Sequence, residues 1–183
     1  MDETTVSMIG IVIAAIIMLV IPLVLVADRN DDISQLVVQT ATTQFIDEVI
    51  KTGKIDANTY QKFVSNLSDS GNTYEINMEV KFLDENTAKV VTDNDYTKIG
   101  NNTYYSIYTS QIEEKIGISA SNTTNNIVGK IILKQGDEIS VTVRNNSATM
   151  SQALKSFYYN IQGKDIHIIS ATASGTVAIN GAT

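Results

Sequence analysis

The chain has 183 residues and no cysteine, which excludes disulfides, thiolate metal sites and cysteine nucleophiles together. Its net charge is −7 with only 13 Lys and Arg, which argues against the basic surface that nucleic-acid binding needs to displace counterions from phosphates. With an apolar N-terminal segment set aside, about 130 residues remain, the size of one domain.

That segment is Val6–Ala27, VSMIGIVIAAIIMLVIPLVLVA. Ser7 is its only polar side chain, and 14 of its residues are Val, Ile or Leu. As a helix it is long enough for a hydrocarbon core of about 30 Å. At roughly −0.3 to −0.6 kcal/mol per central residue, insertion is favoured by several kcal/mol. The alternative is a buried core helix of a soluble protein, but so long a run apolar on every face would need a larger protein to bury it. Asp2 and Glu3 precede the run where a secretory signal carries basic residues, and Ala27-Asp28 is a poor cleavage point. The segment is therefore expected to be retained as an anchor. Arg29 stands among Asp28, Asp31 and Asp32, so the flanking charge says almost nothing of orientation. Within the run, Gly10 and Ala14 form a small-xxx-small pair that lets helices approach closely. Pro22 frees the carbonyl of Met18 from its helical bond and permits a bend. Gly10, Ala14 and Pro22 are the candidate helix-packing residues.

After Ala27, the residues Ile33, Val37, Ala41, Phe45, Ile46, Val49 and Ile50 recur at three- and four-residue steps. This predicts an amphipathic helix, with Ser34, Gln35, Gln39, Thr42, Thr43, Asp47 and Glu48 on its polar side. Gly53 is its natural stop. No Pro or Gly interrupts residues 27–33, so one continuous helix from about Thr5 to Ile50 is favoured, roughly 70 Å long at 1.5 Å per residue. A fresh helix capped by Asp31 or Asp32 is the competing reading. Asp56 opens a second helix through Leu67, whose Tyr60, Phe63, Val64 and Leu67 form a core stripe. In Tyr74–Phe82 apolar and polar residues alternate strictly, the pattern of a strand with one dry and one wet face. Ala88–Thr92 is a candidate short strand. From Tyr105 onward, Gln111-Ile112-Glu113-Glu114-Lys115 favours helix, and Ser119–Asn126 reads as a polar loop. Ile127–Leu133 and Glu138–Arg144 flank Lys134-Gln135-Gly136-Asp137 and read as a hairpin. Ser147 or Thr149 can cap a helix with the apolar stripe Ala153, Leu154, Phe157, Tyr158 and Ile161, stopped by Gly163. A last strand is expected over Asp165–Ala173, continuing past Gly175 as Thr176–Ile179.

The order predicts an α+β fold in which a long N-terminal helix precedes an antiparallel sheet backed by helices. Three regions follow: a transmembrane anchor over 1–28, its amphipathic continuation over 29–55, and an α+β domain over 56–183. Catalytic chemistry finds little support. His167 is the only histidine, lies in the apolar run Ile166–Ile169, and has neither a second His nor a Cys to share a metal or activate a nucleophile. Glu113-Glu114 and Asp47-Glu48 are adjacent on helices and so point to different sides. Asp93-Asn94-Asp95 lacks the Gly and distal Glu of a calcium loop. No phosphate loop, nucleophile elbow or zinc spacing occurs. The expectation is no enzyme, no cofactor, no metal and no small-molecule substrate. The Asn-x-Ser/Thr triplets at Asn66, Asn101, Asn122 and Asn145 are what an Asn-rich chain contains by chance.

An apolar helix with Pro22 inside it, running into an amphipathic helix and an α+β head, resembles a type IV pilin-like subunit. The stretch Val37–Val80, VVQTATTQFIDEVIKTGKIDANTYQKFVSNLSDSGNTYEINMEV, is similar to TadE-like or pseudopilin-like membrane proteins of Firmicutes. The likeness covers the first half of the chain and, beyond it, the layout. It implies a structural, minor component of a tight-adherence or type II secretion-like apparatus, single-pass in the cytoplasmic membrane. Its implied partners are the membrane, other pilin-like subunits and secretion platform proteins. Pilin precursors carry a basic leader ending in Gly before an aromatic residue, whereas Gly10 here is followed by Ile11. The alternative function is a single-pass anchored ligand-binding or sensor domain.

Overall fold

A computed structural model describes residues 3–84, 104–118, 129–159 and 168–181, with backbone alone for 156–159. Helix α1 runs unbroken from Glu3 to Thr52, 50 residues, through Pro22. The continuous reading is the observed one, and no new helix starts at Asp31 or Asp32. Gly53 ends it in the left-handed region at φ 63°, its N–H bonded to Val49 O at 2.8 Å, as a glycine stop requires. A side chain is also excluded there by packing, since a Cβ would lie 2.6 Å from Gly181 N.

The chain then forms β1 (Lys54–Asp56) and α2 (Ala57–Ser68). Asp56 caps α2 by accepting from Thr59 N at 2.8 Å. Strand β2 (Tyr74–Leu83) is followed by β3 (Tyr104–Tyr108) and α3 (Thr109–Lys115). Next come β4 (Lys130–Ile132), β5 (Glu138–Asn145), α4 (Met150–Tyr159) and β6 (Ser170–Thr176). Four strands make an antiparallel sheet in the order β3-β2-β5-β6, and β1 pairs with β4 in a second, two-stranded sheet. The fold is α+β, with a long N-terminal helix and antiparallel sheets backed by helices.

The inner face of the main sheet presents Met78, Val80, Ile139, Val141, Val143 and Ala171, all buried. Against it lies the second half of α1, with Val38, Ala41, Phe45, Ile46 and Val49 in the common core. Helix α2 runs back beside α1: the Phe45 and Phe63 rings stack at 4.5 Å, and Asn72 reaches Ser34. The direction of α1 on the sheet is fixed at two points. Gln35 grips Ser170 at the start of β6, while a Cβ at Gly175, near its end, would collide with Ile50 Cδ1. Helix and strand therefore run side by side in the same sense. Ala171, Ala173 and Gly175 face α1 with side chains small enough to let it close.

Four expectations change. Tyr105–Tyr108 is strand rather than helix, because it pairs with β2 and the Tyr105 ring stacks on Phe82 at 5.0 Å. The helix begins only at Thr109, whose Oγ1 accepts from Met78 N at 2.7 Å and so extends the ladder by one side chain. The hairpin is not formed: β4 turns away to β1, and β5 takes β2 and β6 as neighbours. Asp137 tightens the intervening turn instead, accepting from Lys134 N at 2.7 Å and Leu83 N at 2.9 Å. Strand β6 starts and ends as Ser170–Thr176, with Gly175 inside it and residues 177–179 beyond it. On α1, Ser34 and Thr42 are buried and Ile33 is exposed, a rotation of the expected stripe. Ala88–Thr92, Asp93-Asn94-Asp95, Ser119–Asn126, Ile161, Gly163, His167, Asn101 and Asn122 lie outside the described residues.

Candidate functional site

Two halves of α1 present opposite surfaces. From Glu3 to Leu19 every residue is exposed, including Ile9, Ile13, Ile16 and Met18. The most apolar 18-residue stretch has none of its residues buried, and the helix is long and apolar enough to cross a membrane. A helix satisfies its own backbone there, the condition for standing in lipid. Burial begins at Ala27 and then recurs at Asp31, Ser34, Val38, Ala41, Thr42, Phe45, Ile46 and Val49.

Gly10, Ala14 and Pro22 all lie on the exposed half. Gly10 and Ala14 are one turn apart on one side of the helix, and a Cβ at Gly10 would meet nothing within 4 Å. Pro22 stands eight residues past Ala14, about 12 Å along the axis, so the three residues make one small patch and a separate proline through which α1 runs unbroken.

A polar clasp joins the helix to the domain immediately after the apolar run, and the sequence pattern did not reveal it. Asp31, 7% exposed, accepts from Thr149 Oγ1 at 2.7 Å. Asp28 is paired with Lys155 Nζ at 2.7 Å and accepts from Ser151 Oγ. One turn on, Ser34 Oγ accepts from Asn72 Nδ2 at 3.4 Å. Gln35 donates to Ser170 O at 2.7 Å and accepts from Ser170 N at 3.0 Å, so its amide acts as a short piece of strand on the edge of β6. Thr42 returns its hydroxyl to Val38 O at 2.7 Å. Burial of these groups is tolerated because each is bonded; no buried side-chain polar atom among the described residues lacks a partner. One signal was available in the sequence: Ala27, Asp31, Ser34, Val38 and Ala41 are mostly small residues at alternating steps of four and three.

Elsewhere the described residues offer little chemistry at the surface. A groove of about 390 Å³ between α2, β2 and α3 is lined by Tyr60, Val64, Tyr74, Ile76, Glu113 and Ile118. Tyr60 donates to Glu113 Oε1 at 2.6 Å, and burial, reinforced by that carboxylate, pushes the phenol well above its ordinary range. A phenol held protonated beside an acid is a structural pair rather than a proton-transfer device near neutrality. On the wet face of the sheet, Ser106 bonds Glu79 at 2.9 Å and Thr142 meets Thr172 at 3.1 Å. No three His, Cys, Asp or Glu side chains among the described residues are placed to share a metal ion.

Set against known proteins, the chain matches no family profile, no curated sequence and no solved structure.

Proposed function

We propose that the protein is a structural, non-enzymatic, minor pilin-like or pseudopilin-like component of a tight-adherence or type II secretion-like apparatus. In this reading the first half of α1 anchors it in the cytoplasmic membrane, with its domain on the extracytoplasmic side. The observation that carries the reading is the single helix of 50 residues, apolar and bare in one half and clasped along an antiparallel sheet in the other. Such a chain joins a membrane position to a folded head without a flexible linker. With little hydrophobic gain between helices in lipid, close packing of small residues must supply the attraction. The Gly10/Ala14 side of the anchor is the contact surface for a neighbouring subunit or a platform protein.

In-cell cross-linking tests this. The Gly10→Leu, Ala14→Leu double variant keeps the anchor apolar, so it should remain in the membrane fraction while cross-linked species fall several-fold. Ile13→Leu should change neither. Undiminished cross-linking in the double variant removes the packing role. The groove beside Tyr60 favours a second reading, an anchored ligand-binding domain, which predicts a monomer in the membrane with no partner to cross-link.

A further inference from the structure

Helix α4 is docked by its polar side. Ser151, 3% exposed, and Lys155 hold Asp28, and the capping residue Thr149 holds Asp31. The other side of the helix carries Met150, 66% exposed, with Ala153 also exposed and Leu154 half-buried. These fall at i, i+3 and i+4, and the sequence places Phe157 at the next step of the same stripe. An amphipathic helix on a water-soluble domain turns such a stripe inward. Here the stripe faces out, at a particular level: Asp28 directly follows Ala27, the last residue of the apolar run, and Asp31 is less than one turn further.

We propose that α4 is a membrane-surface helix whose Met150/Ala153/Leu154 stripe rests in the boundary between lipid headgroups and acyl chains. The proposal rests on the reading of α1 as a membrane span. If α1 leaves the bilayer near Ala27, the clasp holds α4 within about one helical turn of the hydrocarbon, where a helix lying in the interface buries its apolar side by 5–10 Å. The sequence of α4 ends in Phe157-Tyr158-Tyr159, and tyrosine is enriched at that depth. Charge does not drive the contact. Lys155 is neutralised by Asp28, and Asp31 and Asp32 outweigh Arg29 nearby, so the partner surface is zwitterionic lipid bound by apolar contact.

The absence of cysteine from the chain makes single labelling sites clean. Full-length variants Met150→Cys, Ala153→Cys, Lys62→Cys and Ile16→Cys are labelled with an environment-sensitive fluorophore and reconstituted in phosphatidylcholine vesicles carrying lipid-borne quenchers at shallow or deep positions. The expected result is loss of emission at 150 and 153 with shallow quenchers, at 16 with deep ones, and at 62 with neither. If the label at 16 is quenched while those at 150 and 153 respond only to an aqueous quencher, α4 stands clear of the bilayer and the proposal fails with the span intact. If the label at 16 escapes deep quenchers, the span itself fails and the proposal goes with it.

Discussion

At the scale of single residues, the positions that matter most are those where a side chain settles the fate of a backbone end. Asp56 is one of them. Its carboxylate accepts the Thr59 N–H at 2.8 Å, and that bond, helped by Lys54 at 3.3 Å, holds the carboxyl below its ordinary value of 3.8. A depressed acid contributes stability that is complete above the ordinary pKa and is lost as pH falls through the lower, folded one. Asp56→Ala should therefore cost about 1 kcal/mol at pH 7, the usual value of such a cap. The gap between the two proteins should narrow steadily below pH 3.8. Urea unfolding of the detergent-solubilised chain at several pH values checks both; a gap that stays constant into acid would mean the cap acts through shape rather than charge. The cap was legible in the sequence, because Asp before a stripe is a local signal. The clasp was not: Asp31 meets Thr149 across 118 residues, and no periodicity near Asp31 announces that partner.

At the scale of elements, α1 beyond Ala27 is part of the core as well as a stalk. Val38, Phe45, Ile46 and Val49 are each at most 3% exposed, and burying such a side chain contributes about 1.5–3 kcal/mol. Together they amount to roughly the whole stability of an ordinary domain, about 5–15 kcal/mol. A chain beginning at Asp28 should fold and stay soluble, whereas one beginning after Ile50 should aggregate. Circular dichroism and size-exclusion chromatography distinguish them, and equal behaviour of the two would remove α1 from the core. The same logic explains what could be read in advance. Tyr74–Phe82 was legible because a central strand with one wet face writes its alternation into the sequence. Strands β1 and β4, three residues each, are too short to alternate, and their pairing is decided by the turn at Asp137 and the end of α1. Tyr105–Tyr108 was misread because helix-forming composition just downstream was outweighed by pairing with β2. The sequence of α4 shows a stripe but not what covers it: Ala153 is exposed and Leu154 half-buried, because period reveals a face and nothing more.

For the whole molecule, the alignment of α1 with β6 limits how copies can meet. Antiparallel pairing of β6 with a second β6 would reverse one molecule and send the two copies of α1 in opposite directions, so with α1 as the proposed membrane span, edge-to-edge dimers of this kind cannot share a membrane. In the proposed orientation, protease added to intact protoplasts should remove an epitope placed after Thr183, and cleavage only after lysis would invert the topology. Mechanically, the molecule is a rod with its head strapped along the shaft. No Gly or Pro interrupts α1 between Leu23 and Thr52, so some 38 Å of stiff helix stands beyond Ala27 at 1.5 Å per residue. Any tilt of the helix beyond Pro22 becomes a swing of the head rather than a bend at a hinge. A pull on the anchor acts parallel to β6 and loads Asp28, Asp31 and Gln35 in shear, all at once, instead of peeling them apart in turn. The head thus follows its anchor under traction as one body.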